Sequence, residues 1–254
     1  MNGRTPTLRE RQRARTRQLL QTHAVRLFTE RGYDAVTVAD VAEAAGVSPM
    51  TVYRHFPTKE DLALVDRPAR LIAERVAASS AAQPLVRRVG GALVEAAAAL
   101  TREHRDGAPD DPDGADGADG ADGNENGDAD GDGPAVDRGF LLDCLRLMVT
   151  TPALRARHLD SQYALQEAVL AALARADADA DTDADAGPRT APAPAPDPDA
   201  VFRARAATSA CLAAMHTALT CWAEDDGRGD LPDLISRALA ASFGEDAFPA
   251  RREA

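Results

Sequence analysis

TVADVAEAAGVSPMTVYRHF, residues 37–56, decides the fold of the N-terminal part of this chain. Thr37 stands where a helix cap belongs, and Asp40 three residues later completes a capping-box pattern. Val38, Val41, Ala42 and Ala45 supply one apolar face. Gly46 falls where a backbone leaving a helix needs positive φ. Ser48 then caps a second short helix that opens on Pro49, a residue tolerated there because the first helical N–H has no partner. Val52 and Phe56, four apart, face inward. Pro49, Met50, Thr51, Tyr53, Arg54 and His55 are left to face outward or sideways. Two short helices joined this way form a helix-turn-helix, whose second helix offers its N-terminal residues to the edges of base pairs.

On either side of that stretch the pattern continues. LFTERGYDAVT closes a preceding helix in which Leu20, Ala24, Leu27 and Phe28 recur at helical spacing, and Gly32 ends it. After the second short helix comes YRHFPTKEDL. There Pro57 breaks the helix, and Thr58 with Asp61 repeats the capping-box pattern at the start of a fourth. Taken together, from Arg9 to Leu64, the sequence resembles the DNA-binding domain of the tetracycline-repressor (TetR) family. The resemblance implies a DNA-facing set at Thr37, Val38, Ser48, Pro49, Met50, Thr51, Tyr53, Arg54, His55 and Lys59. Thr37, Tyr53, His55 and Lys59 match positions that hold phosphates, and Ser48 to Thr51 match the tip that meets base edges. Arg54 suits either. Pro49 and Met50 carry no hydrogen-bond donor, so they read only shape and thymine methyls.

The net charge of −12 conceals this reader. Residues 1–60 hold ten Lys/Arg against six Asp/Glu, whereas residues 106–137 hold twelve acids and no base. The acidity therefore sits mainly in low-complexity segments, and the global balance does not argue against nucleic acid. Arg4, Arg9, Arg11, Arg13, Arg15 and Arg17 form a basic lead into the first helix, suited to sequence-independent phosphate neutralisation.

The expected fold class is all-α: a three-helix helix-turn-helix domain plus a C-terminal helical effector and dimerisation domain. The expected partition is a basic arm at 1–8, the reader at 9–66, and the effector domain at 67–105 and 138–245. A disordered acidic insert is expected at 106–137, a disordered Ala-Asp/Ala-Pro linker at 176–199, and a tail at 246–254. The fourth helix should run through Leu62, Leu64 and Val65 to Val76, interrupted at Pro68. Further helices are expected at about 85–103, 139–149, 152–175, 200–223 and 231–243.

No catalytic constellation appears, and the five histidines never fall at metal-ligand spacing. Two half-matches to a calcium loop, starting at Asp122 and Asp128, lack the bidentate glutamate at position twelve. The expectation is therefore no enzyme activity, no cofactor and no metal. The three cysteines, the missing apolar signal segment and the absence of a long apolar run predict a cytoplasmic protein with reduced thiols.

The C-terminal half resembles the family's effector domain less closely, in a branch associated with acyl-CoA-like ligands. That resemblance implies a homodimer whose last two helices pair, with Leu212, Met215, Leu219, Trp222, Leu234, Ile235 and Leu239 at the interface. A pocket is expected among Phe140, Leu145, Met148, His158, Tyr163, Phe202 and Met215. The implied function is a ligand-responsive repressor on a palindromic operator. The alternative is a DNA-binding regulator controlled by a protein partner, or by no small ligand.

Overall fold

The computed structural model describes residues 7–65, 69–102, 138–184 and 197–248. Among them every regular element is helical: α1 (Leu8–Arg31), α2 (Val38–Ala44), α3 (Pro49–His55), α4 (Ala69–Ala78), α5 (Leu85–Arg102), α6 (Arg138–Thr150), α7 (Pro152–Ala184), α8 (Pro198–Glu224) and α9 (Leu231–Phe243). The chain is all-α. The expected acidic insert at 106–137, the region around Pro68 and the end of the tail lie outside the described residues.

Helix α1 takes in most of the basic lead. Thr7 and Glu10 close a reciprocal capping box, with the Thr7 N–H donating to Glu10 Oε2 at 2.7 Å. Arg9, Arg11, Arg13, Arg15 and Arg17 therefore ride on a helix, and their spacing is fixed by its turn.

Among the described residues there are two apolar cores. The N-terminal one gathers Leu20, Ala24, Phe28, Val36, Val41, Val52, Phe56 and Leu62, and it also takes in Cys144, Leu147 and Leu154 from α6 and α7. The reader is thus seated on the larger bundle through its own core. The second core runs from Ile72 through α5–α9 to Phe248.

The fourth helix, expected to run from Leu62 with an interruption at Pro68, has no α-helical first half. Instead a 3₁₀ turn spans Glu60–Leu62, and α4 starts only at Ala69. Sequence chemistry explains the break, because Pro68 has no N–H to give the carbonyl of Leu64 four residues earlier. Gln21 Nε2 donates to that carbonyl at 2.9 Å instead.

The linker expected from residue 176 also needs correction, since α7 continues to Ala184. Alternate residues in that stretch, Ala176, Ala178, Ala180 and Ala184, are alanine, the best helix former, and this propensity outlasts the apolar periodicity that ends near Leu173.

A further correction concerns the expected dimer interface. Leu212, Met215, Leu219, Trp222, Ile235 and Leu239 are each 3% exposed or less within one chain, and Leu234 is half-buried against the same core. They hold α8 and α9 to α5 and to each other. A side chain already covered by its own subunit has no surface left to give a second copy. What α8 presents outward is a ridge of small side chains at Ala206, Ala210, Ala213, Thr217 and Cys221, joined on α9 by Ala241.

Candidate nucleic-acid interface

The reader is assembled from local caps. Thr37 Oγ1 accepts the Asp40 N–H at 3.2 Å, and Asp40 Oδ2 accepts the Thr37 N–H at 2.7 Å. The Thr37 side chain first, then its backbone, hold the Asp40 carboxyl below its usual range. Helix α2 ends at Ala45, and Gly46 adopts φ 67°, a left-handed turn that a β-carbon would strain. Ser48 opens α3 by accepting the Thr51 N–H at 3.2 Å. Val52 and Phe56 go into the core, at 0% and 1% exposed.

That anchoring leaves a defined outer surface. Met50 is 74% exposed and Tyr53 50%; Pro49 and Arg54 are exposed as well. Ser48 Oγ and Thr51 Oγ1 lie 3.0 Å apart and hydrogen-bond to each other, so both hydroxyls are partly committed to the cap. Val38 is half-buried and packs on the reader core, a support beneath the tip.

His55 and Lys59 serve the scaffold more than the sequence suggested. The His55 carbonyl accepts a hydrogen bond from Arg17 Nη1 at 2.7 Å, and the Arg17 guanidinium lies 4.2 Å over the Phe56 ring. This closes the C-terminal end of α3 with a cation, where the helix dipole favours one. Burial, followed by Arg54, Arg13 and Arg17, pushes the His55 imidazole below its ordinary pKa, which keeps it neutral near pH 7. Lys59 donates to the Tyr33 carbonyl at 2.6 Å with its ammonium 4.1 Å over the Tyr33 ring. It pins the loop between α1 and α2, and its remaining protons are what it has to offer a phosphate.

A family model for bacterial regulatory proteins of the tetR family matches residues 22–65, the same helices just described. Residues 22–65 are a TetR-family domain. The match is confined to the reader. The chain is similar to the HTH-type transcriptional regulator TcmR of Streptomyces glaucescens, 48% identical over 59 residues, or 23% of this chain. The match spans about a quarter, 26%, of that relative's length.

Two solved structures were also found over most of the length. Thermus thermophilus FadR, described as a TetR family transcriptional repressor in complex with lauroyl-CoA, is 19% identical with a TM-score of 0.40, covering 94% of this chain and 97% of that one. The TetR family transcriptional regulator PfmR, also from Thermus thermophilus, is 19% identical with a TM-score of 0.35, covering 92% and 99%. Among the described residues no helix is long and apolar enough to cross a membrane.

Behind the TetR-type reader lies a cavity of about 350 Å³. Four of the seven residues expected in a pocket line it: Leu145, Met148, His158 and Met215. The other three do not. Tyr163 and Phe202 are 63% and 71% exposed, and Phe140 packs against the reader core. Both exposed aromatics lie on outward faces, of α7 and α8, where helical spacing cannot tell a pocket from solvent. The lining that sequence reading missed includes the reader's own Arg17, Pro57, Asp61, Ala63, Leu64 and Val65, and Leu141, Leu165 and Leu219 of the bundle. His158 stacks on His216 with ring centroids 5.2 Å apart, and Gln162 Nε2 sits 2.9 Å from His158 Nε2. Burial, with Arg155, lowers the His216 pKa, so this ring is held neutral.

Proposed function

We propose that this regulator binds a pseudo-palindromic operator as a homodimer, one α3 tip in each of two major-groove half-sites, and releases it when a small molecule fills the cavity. The observation that carries the reading is the tip itself. Met50, Tyr53 and Arg54 project from a helix whose other face is locked by Val52 and Phe56, as a rigid groove reader requires. Arg9, Arg11, Arg13 and Arg15 supply phosphate neutralisation from α1. Base-edge readout by Met50 is apolar, whereas Thr51 and Arg54 offer donors. The tip is therefore stronger at positioning than at discrimination, and the two half-sites of a dimer supply the missing affinity. Release from the operator makes it a repressor, acting in the cytoplasm.

The dimer forms through the small-residue ridge of α8 and the outer face of α9 in place of the buried leucines. Ala213 lies mid-ridge and is exposed. Ala213→Arg should leave the subunit folded but monomeric in sedimentation at micromolar concentration, with palindrome affinity lost and single half-site binding weak. A dimer that survives this change would move the interface elsewhere.

Selection from a pool of random duplexes tests the reading directly. Enrichment of two inverted half-sites, centred one helical turn of roughly 34–36 Å or a multiple apart, is expected. A single unpaired motif, or no enrichment, would overturn it. An acyl chain of about a dozen heavy atoms fills 350 Å³ at roughly 30 Å³ for each water-sized unit, so the effector's acyl part fits while a coenzyme A moiety extends outside.

A further inference from the structure

Resting on the reading of this cavity as the effector site, we propose that its ligand is an amphipathic organic anion, and that the anion acts by drawing Arg157 away from Asp61. The cavity has two unlike ends. Leu141, Leu145, Met148, Leu165, Met215 and Leu219 make an aliphatic wall. At the other end the lining carries two guanidiniums, Arg17 and Arg157, and one carboxylate, Asp61, together with Ser161 and Gln162. An apolar body with a carboxylate or phosphate head matches both ends at once.

What sets this end apart is that both cations are ties to the reader. Arg17 holds the last carbonyl of α3, and Arg157 Nε donates to Asp61 Oδ1 at 2.9 Å. Asp61 in turn accepts the Thr58 N–H on Oδ2 at 3.1 Å, which builds the turn directly after α3. The Asp61 carboxylate thus joins α7 of the bundle to the turn behind the DNA-facing helix. It is 15% exposed and Arg157 41%, so the arginine is the partner a ligand can reach. Burial alone would raise the Asp61 pKa, but hydrogen bonds from Arg157 and Thr58 outweigh it and keep the group charged.

An incoming carboxylate offers Arg157 what Asp61 already gives it. Two carboxylates on one guanidinium repel, so Asp61 and its turn must yield. A neutral ligand of the same shape imposes no such exchange. Because the DNA-bound form keeps the pair and the liganded form breaks it, ligand and operator oppose each other by the same factor.

The test uses the full-length dimer and three probes: decanoate, decanoyl-CoA and decanol. Calorimetry without DNA is expected to show decanoate binding, with decanol weaker by tenfold or more. Asp61→Asn preserves an acceptor for Thr58 while removing the competing charge, and should tighten decanoate by roughly fivefold, the scale of a partly exposed ion pair. Arg157→Gln should weaken decanoate by at least as much. A merely structural pair would shift both variants in the same direction, and that result overturns the proposal. So does equal binding of decanol, or no decanoate binding at all. Decanoyl-CoA matching decanoate places the anionic head on the phosphates of its coenzyme A moiety; decanoate binding alone places it on a free carboxylate, and either supports the shared chemistry. These arms need no operator. If the protein binds a selected palindrome but ignores decanoate, the switch fails while the regulator stands; if decanoate behaves as expected but no duplex is enriched, the reverse holds.

Discussion

Met50→Glu should abolish operator binding while leaving the fold untouched. Met50 is 74% exposed at the second position of α3 and packs against nothing that the change would uncover. An acidic side chain in the first turn of a helix interacts favourably with the dipole, so α3 itself is if anything steadied. Against DNA the outcome inverts. The new carboxylate faces acceptor-rich base edges and flanking phosphates, and like-charge juxtaposition in an interface costs several kcal/mol. A loss of at least roughly a hundredfold per tip is expected, and a dimer applies the cost twice. Fluorescence anisotropy with the selected duplex reads the affinity, and circular dichroism melting checks the fold. Affinity within a few-fold of the parent chain, with the melting curve unchanged, would mean that α3 does not enter the groove.

This part of the molecule was legible because its signals are short-range. Thr37 and Asp40, Ser48 and Thr51, Gly46, and Val52 with Phe56 are separated by four residues or fewer, or depend on one backbone angle. Caps and turns of that kind are set by the residues themselves. The commitment of Lys59 to the Tyr33 carbonyl was not legible, because it spans 26 positions and depends on how α1 lies against the turn after α3. Arg157 and Asp61, 96 positions apart, illustrate the same limit: the sequence shows Asp61 as a cap for Thr58 and gives no sign of its pairing with Arg157.

The C-terminal bundle shows a different limit. Apolar periodicity marks which residues of α8 and α9 avoid water, but it does not say what covers them. A stripe such as Leu212, Met215, Leu219 and Trp222 is equally consistent with a subunit core and a dimer seam. The ridge left outside is made of alanine, threonine and cysteine, residues weak in any hydrophobic pattern. Likewise the aromatic residues that seemed suited to a pocket, Tyr163 and Phe202, turn outward, while aliphatic Leu141, Leu165 and Leu219 do the lining.

Trp222→Ala separates core from seam by measurement. The indole is 1% exposed, and its Nε1–H donates to the Gly229 carbonyl at 3.4 Å. Arg138 lies 5.7 Å over the ring and donates to the carbonyls of Gly227 and Gly229, closing the α8–α9 loop around it. Gly227 holds φ 72° directly against the ring, where an added β-carbon would meet Trp222 Cζ2 at 3.3 Å. Truncating the indole should remove about 3–5 kcal/mol, counting lost transfer energy and the cavity left behind. Against a typical stability of about 5–15 kcal/mol that is a large fraction, and at roughly 2–4 °C per kcal/mol the melting point should fall by about 6–20 °C. The loss should persist when the protein is diluted well below its dimer dissociation constant, because it belongs to each subunit. Were Trp222 instead a contact between copies, the variant would be a folded monomer, and its melting point would match that of the diluted parent chain. Melts of both proteins at two concentrations, read beside sedimentation, decide between these outcomes, and only the first agrees with an indole enclosed by its own loop.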